Sequence, residues 1–190
     1  GRTEPAMEAF DEAIKLDPKH TEAFYYRGVV TERLNKPEEA LSNYRQAGAL
    51  DRSNPQYALA AAEMLVQLGR LAEARELLDP PAGSDLPRFD QTAGVRQTLG
   101  HIALMEHDLP RALVLFKEAC TLSPDQPSLI EDLARAQIEA GQYADAESGL
   151  SFVLSKVKPE ERRDLRLLKA RCLVEIQRPV DARSLLLELV

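Results

Sequence analysis

The sequence predicts an all-α chain of antiparallel helix pairs stacked side by side, five full repeats after a leading half-repeat. Three observations carry this reading. Alanines recur at Ala6, Ala40, Ala74, Ala112, Ala146 and Ala182, spaced 34, 34, 38, 34 and 36 residues apart. A large apolar residue follows each by four positions: Phe10, Tyr44, Leu78, Phe116, Leu150 and Leu186. A small residue precedes each of the last five by twelve positions: Gly28, Ala62, Gly100, Ala134 and Ala170. A weaker column lies seven after each alanine, at Ala13, Ala47, Pro81, Ala119, Val153 and Leu189. Offsets of four and seven share one helical face. The small residues let two antiparallel helices approach closely, and the large one fills the space toward the next pair. One pair cannot bury its own apolar face, so the units must stack.

Composition agrees with this architecture and excludes others. Hydrophobic residues make up 44% of 190 residues, enough for a core; only 5% are aromatic and none is Trp, so Ala and Leu must build it. The net charge of −7 argues against nucleic-acid backbones and anionic membrane surfaces, which need a basic footprint. No apolar run approaches the roughly 20 residues that span a bilayer. Two cysteines form neither a disulfide framework nor a zinc site, and they fit cytoplasm or periplasm, with the cytoplasm preferred. The Ala-, Leu- and Arg-rich style is bacterial in character.

Each element follows from its punctuation. The half-repeat 1–20 holds a helix at 3–16. Repeat 21–54 pairs helices at 21–34 and 37–50, with Asn35 suited to the left-handed residue between them. Repeat 55–92 pairs 55–68 with 71–79, joined at Gly69. Repeat 93–126 pairs 89–106 with 109–122; His107 holds the helix-ending position and Asp108 is an N-cap. Repeat 127–162 pairs 127–140 with 143–156, joined at Gly141. Repeat 163–190 pairs 160–176 with 179–190. Pro37, Pro110 and Pro179 stand near first helical positions, where a missing N–H is harmless. Glu38, Glu39, Glu160 and Glu161 fall in first turns, where the helix dipole favours acids.

Two features break the regularity. Residues 79–92, DPPAGSDLPRFDQT, carry Pro80, Pro81 and Pro87 and lengthen their unit. They read as a tolerated insertion in a surface turn, with a partner-contacting loop as the alternative. The chain also starts inside a unit and ends on an apolar face (Leu185, Leu186, Leu189) with no polar capping helix after Val190. That pattern implies a piece of a longer protein; the alternative is an end covered by self-association through terminal helices.

Catalytic and metal-binding patterns are missing. The three histidines, His20, His101 and His107, have no metal-ligand spacing with one another or with Cys120 and Cys172. Both cysteines fall at packed positions and read as small hydrophobes rather than nucleophiles. No phosphate-binding loop, dinucleotide fingerprint, nucleophile elbow or zincin motif occurs. The sequence therefore implies a chain that is not an enzyme and needs no cofactor.

The repeat resembles the tetratricopeptide repeat. Residues 21–54 match that family's signature at Phe24, Gly28, Ala40, Tyr44 and Ala47; residues 93–126 match it at Leu99, Gly100, Ala112, Phe116, Ala119 and Pro124. Residues 4–18 match a second helix and its terminal proline. The likeness covers essentially the whole chain, with departures at Arg27, where Leu is usual, at Arg52, where Pro is usual, and in two long units. It implies a right-handed superhelical solenoid whose first helices line a concave groove that receives partner segments. Carried over position by position, the binding candidates are Tyr25, Tyr26, Val29, Arg33, Leu59, Glu63, Gln97, His101, Met105, Glu131, Asp132, Arg135 and Arg171. The groove would run from an aromatic and aliphatic end through a polar middle to an acidic end around Arg135. The subset of the family that clamps chaperone C-terminal carboxylates uses Lys and Asn. Here one window of those positions holds Tyr25, Val29, Ala60, Gly94 and Thr98, and the next holds Leu59, Glu63, Thr98, Ser128 and Asp132. Neither supplies a basic clamp. A protein-interaction scaffold is thus the leading expectation. A self-assembling element, a segment serving a larger enzyme or secretion protein, and a helical-repeat RNA reader (opposed by the charge) stand behind it.

Overall fold

The computed structural model describes residues 3–156 and 162–187. Among them the regular structure is eleven α-helices and no strand. These are α1 (Thr3–Leu16), α2 (Thr21–Arg33), α3 (Pro37–Leu50), α4 (Pro55–Gln67), α5 (Leu71–Leu78), α6 (Ala93–Met105), α7 (Leu109–Leu122), α8 (Pro127–Glu139), α9 (Tyr143–Leu154), α10 (Arg163–Glu175) and α11 (Pro179–Leu187). Their contacts divide the chain into two compact units, Gly1–Thr98 and Leu99–Val190.

The expected helices are found within a few residues, with two differences. The helix expected from 89 starts at Ala93 instead. Phe89 is buried, Arg88 Nη2 donates to the Pro80 carbonyl at 2.9 Å, and Asp90 pairs with Arg96 at 3.1 Å. These ties hold 80–90 off the helical path until the Thr92 carbonyl accepts from Val95 and Arg96. The helix expected from 160 begins at Arg163. The expectations for Glu160, Glu161, Leu189 and Val190 lie outside the described residues.

Five first helices end in one way. Asn35, Gly69, His107, Gly141 and Gln177 all take positive φ, between 58° and 73°. The next amide then donates back to a carbonyl inside the helix: Lys36 to Thr31, Arg70 to Leu65, Asp108 to Ala103, Gln142 to Gln137 and Arg178 to Leu173, at 2.7–3.0 Å. This doubly bonded left-handed cap reverses the chain and starts the antiparallel helix. Second helices then begin with the expected chemistry, Pro37 and Pro179 at first positions and the Asp108 carboxylate accepting from the Arg111 amide at 3.1 Å.

In the unit Gly1–Thr98 the core follows the sequence columns. Ala40, Ala62 and Ala74 are fully buried, with Tyr44 and Leu78 beside them. A β-carbon on Gly28 would lie 2.5 Å from Tyr44 Cε1, so the ring takes the space a methyl group would need. Arg27, in place of the usual Leu, is accommodated by polar neighbours. Its Nη1 donates to Asn43 Oδ1 at 3.5 Å, and its Nε lies 2.9 Å from Asp11 Oδ1 at an angle that makes an ion pair but no hydrogen bond. The 79–92 segment is anchored at both ends, by buried Pro80 and Phe89, and is exposed between 81 and 86. With α3, α4 and α5 it encloses an apolar pocket of about 200 Å³ lined by Tyr44, Tyr57, Leu77 and Phe89.

In the unit Leu99–Val190 the same columns bury Ala112, Ala134, Ala146, Phe116, Leu150 and Val153. Here a β-carbon on Gly100 would lie 2.6 Å from Phe116 Cε1. Toward the end of the chain the column thins. Leu185 packs on Ala170, Leu173 and Ala182, whereas Val180, Leu186 and Leu187 are exposed.

Candidate functional site

In the unit Gly1–Thr98, α2 and α4 share a face built of rings and carboxylates. Of the expected binding residues, Tyr25, Tyr26, Val29 and Arg33 lie on α2, Leu59 and Glu63 on α4, and Gln97 on α6. Tyr25 stands at the centre. Its ring centroid lies 5.2 Å from Tyr26, 5.6 Å from Tyr44 and 5.4 Å from Tyr57, and Gln56 Nε2 donates to its hydroxyl at 2.8 Å. Tyr26 stacks on Phe10 at 6.1 Å and is 51% exposed. Val29 and Leu59 are half-buried, and Leu59 borders Gly94. Gln97 is half-buried, and Arg33 is exposed.

Acids stand next to these rings. The Tyr44 hydroxyl donates to Glu32 Oε2 at 2.6 Å. Burial, this bond and the Glu32 charge together push the Tyr44 hydroxyl far above the usual phenol range. Glu63 reaches solvent, yet the protein packed around it and the nearby Glu32 charge raise its carboxyl above the ordinary carboxylate range. Tyr44 and Tyr57 were absent from the sequence-derived candidates. A signal for them existed, because four of the five tyrosines fall between residues 25 and 57.

In the unit Leu99–Val190 the candidates His101, Met105, Glu131, Asp132, Arg135 and Arg171 lie on α6, α8 and α10. His101 Nε2 lies 3.1 Å from Asp132 Oδ2, and its ring meets Phe116 edge-on at 5.2 Å. Met105 is 50% exposed and Arg171 is exposed. The acidic character expected around Arg135 is largely compensated. Arg162 donates to both Glu131 carboxylate oxygens through Nη1 and Nη2, at 2.7 and 2.6 Å, and Arg135 reaches Asp164 at 3.2 Å. Arg162 lay outside the sequence reading. It sits just before α10 with φ 55°, a left-handed residue that turns its side chain back to α8.

Burial raises the thiols of Cys120 and Cys172 above their usual range, for Cys120 with help from Asp132. Among the described residues no group of three or more His, Cys, Asp or Glu side chains is placed to hold a metal ion. No described helix is long and apolar enough to cross a membrane.

Comparison with known proteins places this geometry. Two family models described as tetratricopeptide repeat match, one over residues 33–85 and 103–157 and the other over 1–55 and 131–190. The TPR repeat-containing protein YpiA of Bacillus subtilis is 26% identical over 175 residues, covering 92% of this chain and 40% of that protein. The type IV pilus assembly protein PilF of Pseudomonas aeruginosa is 26% identical over 151 residues, covering 76% of this chain and 59% of that protein. The chain thus spans less than two thirds of either relative. The solved structure of P. aeruginosa PilF superposes with a TM-score of 0.81 at 23% identity, covering 100% of this chain and 83% of that one. YrrB, described as a TPR protein with an unusual peptide-binding site, superposes with a TM-score of 0.68 at 18% identity, covering 96% and 91%. The alanine columns, the left-handed caps and the two family models agree: the chain belongs to the tetratricopeptide repeat family.

Proposed function

We propose that this chain is a non-catalytic docking scaffold that binds an extended or helical segment of a partner protein along its first helices. Proteins of this family generally bind protein or peptide partners, and YrrB is described as having a peptide-binding site. The observation that carries the reading here is the α2–α4 face. Tyr25 is held by packing and by Gln56, and Tyr26 beside it is half exposed. Rigid tyrosines in a preformed surface supply contact area at low ordering cost, which suits interface anchors. The likeness to a pilus assembly protein makes an assembly complex of that kind the first place to seek the partner.

The test is capture of partners by the intact protein. Tyr25→Ala combined with Tyr26→Ala should abolish capture while the far-ultraviolet circular dichroism stays that of the parent. Unchanged capture removes the aromatic anchor. A second reading, self-association, draws on Val180, Leu186 and Leu187, all exposed on α11. Light scattering across a concentration series separates the two, since heterologous stacking propagates with concentration and a monomeric scaffold does not.

A further inference from the structure

On the α2–α4 face, among the described residues, Glu32 and Glu63 have no lysine or arginine within ion-pair distance, although Arg33 stands next to Glu32 on α2. In the unit Leu99–Val190 the acids of the corresponding helices are met by arginines, Glu131 by Arg162 and Asp164 by Arg135. In the unit Gly1–Thr98 the Glu32 charge acts on Glu63, and among the described residues neither carboxylate lies within ion-pair distance of a lysine or arginine. Glu32 takes one neutral donor, the Tyr44 hydroxyl, on Oε2. Glu22 adds a third acid near Tyr57. The Tyr25 ring packs against Tyr26, Tyr44 and Tyr57 at 5.2, 5.6 and 5.4 Å; Tyr44 and Tyr57 are buried behind it, so Tyr25 and the half-exposed Tyr26 are the rings a partner reaches. An aromatic surface edged by two carboxylates attracts cations twice over. A ring face favours positive charge, and carboxylates accept charge-assisted hydrogen bonds from ammonium or guanidinium groups. Both effects strengthen where the surrounding protein has displaced water.

We infer that this face takes a positively charged partner segment, one lysine or arginine of which lies against Tyr25 and donates to Glu32 and Glu63. The inference rests on the docking reading above and adds the chemistry of the partner. An acidic tail would meet repulsion here. A neutral apolar segment would leave two carboxylates partly desolvated with nothing to neutralise them. The raised carboxyl of Glu63 agrees with this, because a site that disfavours its own negative charge gains most from an incoming cation.

The experiment is selection of random dodecapeptides displayed on phage against the intact protein, followed by affinity measurements on synthetic copies of the winners. Selected peptides should share one Lys or Arg beside an apolar residue. Replacing that residue by Gln, or introducing Glu63→Gln, should weaken binding by about tenfold or more, the loss of one charge-assisted hydrogen bond. Glu32→Gln keeps an acceptor for Tyr44, so its fold is preserved, and it should weaken binding in the same way. Glu63→Lys should select acidic peptides instead. Winners that need Tyr25 but are neutral or acidic overturn the cationic anchor and leave the docking reading standing. Basic winners indifferent to Glu32→Gln and Glu63→Gln overturn it too, because the net charge of −7 then explains them. Selection of nothing that depends on Tyr25 defeats both readings.

Discussion

The residue scale shows why the repeat columns vary as they do. Where the large position holds an aromatic ring, its partner sixteen residues earlier is glycine: Gly28 with Tyr44 and Gly100 with Phe116. Where it holds leucine, the partner is alanine: Ala62 with Leu78, Ala134 with Leu150 and Ala170 with Leu186. The hypothetical β-carbons at Gly28 and Gly100, 2.5 and 2.6 Å from ring carbons, give the reason. Ring and methyl compete for one volume. Gly28→Ala gains about 1 kcal/mol of helix propensity but overpacks a buried, hydrogen-bonded ring at about 1–3 kcal/mol. It should therefore lower thermal stability. Adding Tyr44→Leu should recover more than simple additivity allows, with a coupling of at least about 1 kcal/mol in a double-mutant cycle. Additive losses would show that the ring yields. Glu63 makes a second residue-scale case. Its folded-state pKa is raised above the ordinary 4.5, so the fold prefers it protonated. The associated stability is present in acid and is lost as pH rises through the raised value. Glu63→Gln should thus raise the melting temperature near about pH 7 and leave it unchanged near about pH 4. A gain of equal size at both values would point to packing instead of charge. Glu73 behaves oppositely. Hydrogen bonds from Arg70 and Arg45 hold its carboxyl down to about 2, so what it contributes is lost only as pH falls toward that value.

At the scale of elements, helix boundaries were legible because caps are local chemistry. Left-handed caps, prolines at first positions and the Asp108 N-cap all follow from residues within one turn of the helix end. The boundaries that escaped depend on distant partners. The start of α6 is delayed because Phe89 is buried at the pocket and Asp90 is tied to Arg96, and neither contact has a sequence signature. Arg162 was missed for the same reason, since its partner Glu131 lies 31 positions away. Gln177 was findable. It stands five before its alanine, as Asn35, Gly69, His107 and Gly141 do, and shares their positive φ. A non-glycine residue there is strained by roughly 1 kcal/mol. Gln177→Gly and His107→Gly should each stabilise the protein by about 0.5–1 kcal/mol in denaturant titrations. A loss of stability at Gln177 would mean that its side chain contributes a contact outweighing the strain.

At the scale of the molecule, the fold was readable and the site much less so. Sterics recur from repeat to repeat, so the alanine column reports packing five times over, at Ala40, Ala74, Ala112, Ala146 and Ala182. Charge pairing across helices does not recur. The acids Glu131 and Asp132 looked alike with Glu63 in sequence, but only in the unit Leu99–Val190 do arginines and a histidine meet them. The same repetition has an energetic consequence. Within each unit the substantial helix contacts among the described residues join sequence neighbours, α1 through α5 in one and α7 through α11 in the other. Stability in such an array is a sum of unit terms and neighbour interfaces, so damage should stay local. Ala146 tests this. It is fully buried on α9 among Ala134, Ile138, Leu150 and Leu165, which come from α8, α9 and α10. Ala146→Leu inserts three carbons where no space exists and should cost about 1–3 kcal/mol. Hydrogen exchange resolved by peptide should then show protection lost in α8, α9 and α10, while α2, α3 and α4 exchange as in the parent. The rings and carboxylates of the α2–α4 face would stay in place, and capture of partners through Tyr25 would persist. Equal loss of protection in both units would replace the neighbour-by-neighbour picture with a single cooperative core.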